Sequence, residues 1–533
     1  MAEYDFQNLD QVSAFARLKR TARPELKDNL TADRVRSCQI PAGDTLVYNY
    51  AAKAYSPAIL EVLGDLADEQ QVIGKYRAIA SGEVMNTGEG RMVLHHLCRG
   101  QLDSEVTHEG RNLRSFYEEQ RVRFSAFSRD VHGGTVTTQT GGAFRTVVQI
   151  GIGGSDLGPR ALFLALLGHE YTYLGKKRRG PVMDTRFVSN VDPDDAAIVL
   201  RDLDPRATLF VVVSKSGTTQ ETLTNEALAI RWLSDGGVKN PKKHIVAVTS
   251  ATSPLAKSDD YLESFFIDDF IGGRYSSCSA VGGTVLSLAY GPDVFADILK
   301  GAHEADRLAM ETDCRKNAAL LDALLGVYER NILGYPATAV LPYSQALVRF
   351  PAHLQQLDME SNGKQVNRNG EPVSYDTGPL ILGEPGTNGQ HSFYQLLHQG
   401  TSVVPLQFVG FQRDQAGADV DFDGSTSQKK LNANLAAQIV AFALGKPDKN
   451  RNKNFPGGRP SSLLYGDQLT PSALGALLAH FENKVMFQGL TWNINSFDQE
   501  GVQLGKVLTK QVLNPQPDTS PVLRVYADLL MPD

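Results

Sequence analysis

The feature that most constrains this chain is a series of short apolar runs rich in β-branched residues, each followed by a turn and a helix-like stretch. They are TVVQI (146–150), TRFVSNV (185–191), ATLFVVV (207–213), HIVAVTS (244–250) and SFFI (264–267). A strand that is apolar along its whole length is covered on both faces. With helix-length spacers between them, such strands predict βαβ units and a parallel sheet. A second series follows in ATAVLPY (337–343), PLILG (379–383) and SVVPLQFVGF (402–411), with helical stretches near 316–333, 344–361 and 427–444. Upstream, residues 1 to about 120 read as helices, because Ser56 to Tyr76 spaces its apolar residues at three and four. Residues 447–462 read as a polar loop, and two helices near 471–488 and 498–512 close the pattern. The expected fold class is α/β, with two doubly wound parallel-sheet domains. The expected division is a helical N-terminal arm (1–120), a first α/β domain (121–288), a second (289–510) and a tail (511–533).

Composition narrows the function. The 53 basic and 60 acidic residues leave a net charge of -7, which gives no electrostatic footprint for nucleic acid. No run approaches ~18 apolar residues, so no membrane span is expected. Cys38, Cys98, Cys278 and Cys314 form neither a CxxC pair nor a Cys/His cluster, so no metal site and no disulfide framework are expected. The opening MAEYDFQNLDQ has neither a basic nor an apolar region, and the expected location is cytoplasmic.

Chemistry is concentrated in Gly/Ser-rich turns. VVQIGIGGSDLGPRAL (147–162) reads as strand, glycine turn, helix. Such a turn can aim backbone N–H groups at an anion, or it can be structural only. A dinucleotide fingerprint fails because position 156 is Asp. VVVSKSGTTQET (211–222) adds the hydroxyls of Ser214, Ser216, Thr218 and Thr219, the charge of Lys215 and a turn at Gly217. That set suits a phosphate monoester, with a helix-capping cluster as the plainer reading. In IGGRYSSCSAVGG (271–283), Arg274 is either a surface arginine or a guanidinium held near an anion. In FPAHLQQLDMESNGK (350–364), helical spacing puts Arg349, His353, Gln356 and Glu360 on one face. Asp358 turns about 200° away, and spacing alone does not choose between the two acids. His391 and His398 share a face of a helix that Asn388 is placed to cap. Gln499 and Lys506 share a face seven residues apart, and a solvated lysine is the plainer reading there.

Together, IGIGGSDLGPRA, SKSGTTQET, GGRYSSCSAVG, QQLDMESNGK, GEPGTNGQHSFYQL and SFDQEGVQLGK resemble the glucose-6-phosphate isomerase (phosphoglucose isomerase) family, built on paired sugar-isomerase domains. The motifs keep the family's order across about 140–510. NTGEGRMVLH (86–95) is a looser match, with one residue more than the family's N-T-E-type sequence. The resemblance implies reversible conversion of glucose 6-phosphate and fructose 6-phosphate through a cis-enediolate, with no cofactor. It implies that Ser214, Lys215, Ser216 and Thr219 hold the phosphate, with Gly154 and Ser155 beside them. Glu360 would be the base, Arg274 with Gly273 would face the enediolate oxygens, His391 and Lys506 would manage ring opening, and Gln356 and Gln499 would line the pocket. It favours Glu360 over Asp358 and His391 over His398. It also implies a homodimer in which the histidine reaches the partner's site.

The chemistry needs these residue types. An aldose–ketose shift takes a proton from a carbon beside a carbonyl, which calls for a positioned carboxylate. The enediolate charge needs a fixed cation, and ring opening needs an acid that titrates near neutrality. A sugar-phosphate-binding regulator without catalysis would need only residues 214–219.

Overall fold

The computed structural model describes residues 4–516 and 519–531; the remaining parts of the expected tail lie outside the described residues. Five parallel strands form the first sheet, in the order Asp184–Val188, Thr146–Ile150, Thr208–Val213, Ile245–Ser250, Glu263–Ile267. Four parallel strands repeat the plan in the second, in the order Leu380–Gly383, Ala337–Tyr343, Leu406–Arg413, Ser461–Gln468. In both, the first strand lies inside the sheet with the second on one side and the third on the other. That order creates a point where neighbouring strands send their connections in opposite directions, and ligands bind there, outside the carboxyl ends of the strands.

The continuous apolar runs are explained by period-two burial. Val147, Leu209, Val211, Val213, Val246 and Val248 face the large central core. Val148, Ile150, Phe210, Val212, Ile245 and Ala247 face a separate outer cluster. The second sheet behaves alike, with Val340, Val409 and Leu464 inward and Ala339, Leu341, Leu406 and Phe408 outward. The central core also takes in the Ala280–Tyr290, Pro292–Leu308, Ala318–Asn331 and Pro471–Thr491 helices. Pro471–Thr491 is buried on nearly every side, so its charged groups need partners there. Glu482 takes Arg99, which also grips Asp306 at 3.0 Å, and Lys484 faces Asp322 at 3.4 Å.

Three local expectations change. The stretch read as wholly helical contains a hairpin, Gln39–Gly43 and Leu46–Asn49, whose second strand pairs antiparallel with Ser461–Gln468 and extends the second sheet. Pro41 and Gly43 disguise it as a turn. The stretch from Ser56 to Tyr76, read as helical, falls in two helices, Pro57–Glu69 and Val72–Ala80, broken where Gln71 takes a φ of 50°. The region read as polar loop runs into the Ser461–Gln468 strand.

Candidate active site

The loops after Thr146–Ile150 and Thr208–Val213 leave the carboxyl ends of neighbouring parallel strands, at the switch point of the first sheet. After Thr146–Ile150 the chain makes a tight turn, with Gly153 at a φ of 59°. A Cβ on Gly154 would lie 2.2 Å from the backbone of Gly273, so only glycine lets this turn press against the 271–283 loop. A Cβ on Gly153 would lie 3.2 Å from Gln356 Nε2. The turn thus brings Gly154, Gly273, Arg274 and Gln356 into one place, with Ser155 half-buried beside them. Asp156, the residue that breaks the dinucleotide pattern, is buried against Arg160 at 2.7 Å.

In the 214–219 loop the hydroxyl at the helix N-cap is not spent on capping. Thr219 precedes the Gln220–Asp235 helix, yet its side chain accepts no hydrogen bond from that helix. It takes the hydroxyl of Ser214 instead, at 3.3 Å. Ser216 accepts from the backbone N–H and hydroxyl of Thr218 at 3.2 and 3.0 Å. Among the described residues, the helix N-terminus therefore has no side-chain cap and keeps its positive dipole end. Gly217, at a φ of 63°, makes the turn. Lys215 donates to the carbonyl of Ile271 at 3.1 Å, and burial draws its pKa below the usual lysine range, against the pull of Asp269 and Glu89. An anion entering this loop meets hydroxyls, amides and an ammonium.

Arg274 is no surface residue; its relative exposure is 1%. Its Nε donates to Ser361 Oγ at 2.7 Å, and its Nη2 donates to the carbonyls of Ser496 and Asp498 at 2.7 and 2.9 Å. Its Nη1 makes no hydrogen bond and faces Glu360 Oε2, equally unbonded, at 3.4 Å. Glu360 ends a π-helical turn, Gln356–Glu360, that follows the Phe350–Gln355 helix. Such turns widen a helix locally and recur at functional sites.

The expected shared face is only partly kept. Gln356 and Glu360 reach the cluster, His353 is buried with both ring nitrogens unbonded and its pKa drawn down to about 4 by burial, and Arg349 is exposed. Asp358 points the other way, into a small cavity lined by Lys53, Asp322, Glu329, Gln407, Lys484 and Gln488. Burial raises its pKa to about 7.

Gln499 follows Asp498, whose carbonyl accepts from Arg274 Nη2. Lys506 stands exposed on the Gln503–Leu513 helix and makes no hydrogen bond or ion pair to the cluster among the described residues. Residues of that helix and of the segment that starts Gln220–Asp235 line one open groove, among them Thr218, Gln220, Val507 and Lys510. His391 closes a short turn, Asn388–His391, and is exposed; Asn388 does not cap the next helix, Tyr394–Gln399. His398 is structural: its ring stacks on Phe442 at 3.7 Å and it bonds Gln438 at 2.9 Å. Sequence reasoning missed Ser361, Lys364 and Asp498, which hold the arginine or its acceptors. All three lie inside the motifs QQLDMESNGK and SFDQEGVQLGK, which is where a signal was available.

Known proteins resemble this chain over nearly its whole length. A glucose-6-phosphate isomerase of Treponema denticola is 56% identical over 536 residues, covering 99% of this chain and 100% of that protein. One from Treponema pallidum is 58% identical, covering 98% of each. The crystal structure of a glucose-6-phosphate isomerase from Chlamydia trachomatis superposes with a TM-score of 0.91 at 41% identity, over 98% of this chain and 100% of that one. The family model described as Phosphoglucose isomerase matches residues 49–526. On a match of that extent, with the sheets and the clustered motifs described above, this chain belongs to the phosphoglucose isomerase family.

Proposed function

We propose that this chain interconverts glucose 6-phosphate and fructose 6-phosphate by opening the ring and moving a proton between C1 and C2 through a cis-enediolate. It is an aldose–ketose isomerase of its family. The observation that carries the mechanism is the facing pair of Arg274 Nη1 and Glu360 Oε2, both unbonded, beside the Gly153–Ser155 turn.

The phosphate sits in the 214–219 loop, on the hydroxyls of Ser214, Ser216 and Thr219, the Lys215 ammonium and the first amides of Gln220–Asp235. Gly154 and Ser155 border the sugar. Glu360 takes the proton from C2 or C1 and returns it to the other carbon. Arg274 stabilises the negative oxygens, and it does so without losing its own proton. Gln356 and Gln499 line the pocket. Ring opening falls to His391 and Lys506. His391 is exposed and, among the described residues, has no hydrogen bond or ion pair to the cluster, which suits a homodimer in which it serves the partner's site. The same reading keeps a helical arm (1–120), sugar-isomerase domains at 121–288 and 289–510 and a tail at 511–533, with the 39–49 hairpin lent to the second sheet. Four free cysteines suit a cytoplasmic setting.

A coupled assay feeding fructose 6-phosphate and reading glucose 6-phosphate tests the proposal. Turnover that Glu360→Gln removes supports it. Binding of the sugar phosphate with no turnover contradicts it and leaves a regulator.

A further inference from the structure

The motif NTGEGRMVLH has no place in the mechanism above, yet its first residues touch the site. Asn86 and Arg91 bond each other backbone to backbone, at 3.1 and 3.0 Å, and close a turn over Thr87–Gly90. Glu89 N–H donates to Asn86 Oδ1 at 3.3 Å and tightens it. The turn leans on residues 495–498. A Cβ on Gly88 would lie 2.5 Å from Asp498 Oδ2 and 3.1 Å from Asn495 Nδ2. Asn495 Nδ2 donates both to Asn86 Oδ1 at 2.9 Å and to Asp498 Oδ2 at 2.7 Å. Lys364 Nζ takes Asp498 Oδ1 and also donates to the Asp498 carbonyl at 3.0 Å. That carbonyl accepts from Arg274 Nη2.

Asp498 is therefore a junction. Its carboxylate is fixed by Lys364 and by Asn495, and it occupies the space that a side chain on Gly88 would fill. Its carbonyl carries one of the bonds that aim Arg274. We infer that the Asn86–Arg91 turn, acting through Gly88 and Asp498, is a positioning element that sets where the Arg274 guanidinium points. The inference rests on the reading of Arg274 given under Proposed function. Gly88 does not adopt a positive φ. An alanine there adds a methyl group without straining the backbone, and the methyl lands where the Asp498 carboxylate now sits. Loss of that charge-assisted clamp tilts the guanidinium while the 214–219 loop stays intact.

The test uses Gly88→Ala, Asp498→Asn and the double variant of the full chain. Each single change lowers kcat by about ten- to a hundredfold, the size expected for one charge-assisted bond. Each leaves the inhibition constant of inorganic phosphate unchanged, because the phosphate loop is untouched. The double variant is no slower than the slower single, since both lesions break one clamp. A general loss of structure moves the phosphate constant as well, and overturns the inference. So do effects that multiply, or an unchanged kcat. Should Gly88→Ala not fold, Asp498→Asn and Lys364→Met carry the same split between kcat and phosphate binding. Glu360→Gln separates the two claims. If it retains activity, the reading of the site fails. If it is inactive while Gly88→Ala and Asp498→Asn match the parent, only this inference fails.

Discussion

Arg274 Nη1 lies 3.4 Å from Glu360 Oε2, and the residue after Glu360, Ser361, accepts the Arg274 Nε–H at 2.7 Å. Candidate base and candidate cation are thus tied through adjacent residues of one backbone. The three hydrogen bonds on Nε and Nη2 stop the guanidinium from turning, so its last nitrogen stays directed at the carboxylate. Fixed charge of this kind needs no reorganisation when an oxyanion forms.

Arg274→Lys tests that arrangement. An ammonium on a flexible stem cannot span Ser361 Oγ and two carbonyls while facing Glu360. The expected result is a fall in kcat of about 10²–10³-fold, the usual loss for one oxyanion donor. Steady-state kinetics with a melting curve for each protein checks it; a kcat within tenfold of the parent contradicts it.

The phosphate loop makes a different prediction. Ser214→Ala with Thr219→Ala removes two hydroxyls that cap nothing. Each lost bond to a charged group is worth roughly 1.5–3 kcal/mol, so KM for fructose 6-phosphate rises more than tenfold. An unchanged KM puts the phosphate elsewhere.

Asp358 makes a prediction about stability. Burial raises its folded pKa to about 7, against an ordinary carboxylate value when unfolded. The folded state then holds the proton more tightly than the unfolded state. The stability linked to it is full below about pH 4 and is lost as pH rises through about 7. The facing charges are Lys53, Lys484, Asp322 and Glu329. Asp358→Asn removes the ionisation, so it stabilises the fold above pH 7 by roughly 1–4 kcal/mol, with the gain fading towards pH 4. Denaturant unfolding at pH 8 and pH 5 measures this. Destabilisation of equal size at both values rules it out.

Subunit mixing tests the composite site. Glu360→Gln and His391→Ala proteins, each inactive, regain roughly a quarter of parent activity when their subunits exchange at random, because half the dimers carry one intact site. No recovery after proven exchange means that each site is built within one chain.

The fold was legible where burial wrote itself into continuous apolar runs. Thr146–Ile150 and Ala337–Tyr343 fall where those runs put them, and the Ser427–Leu444 helix falls where its Ala- and Leu-rich stretch puts it. It was illegible where pairing partners lie far away. Leu46–Asn49 is a strand because Ser461–Gln468 receives it, and neither segment is apolar enough to announce itself. At the site, loop chemistry marked Ser214 to Thr219, Gly154 and Arg274. The burial of Arg274 depends on Ser361, Ser496 and Asp498, and no local spacing contains that information. The π turn at Gln356–Glu360 is likewise invisible to a helical repeat, although it leaves Asp358 and Glu360 on opposite sides, as the plain helix does.

The central claim is that Glu360 carries the proton. Glu360→Gln keeps size and hydrogen bonding and removes basicity. Incubating fructose 6-phosphate or glucose 6-phosphate with this variant in deuterated water, and following label at C1 and C2 by NMR, reads proton transfer directly. Exchange at both carbons slowed by about 10²–10⁴-fold, with inorganic phosphate still binding at parent strength, is the result the account predicts. Exchange at nearly the parent rate contradicts it and moves the search for the base to Asp358 or His391.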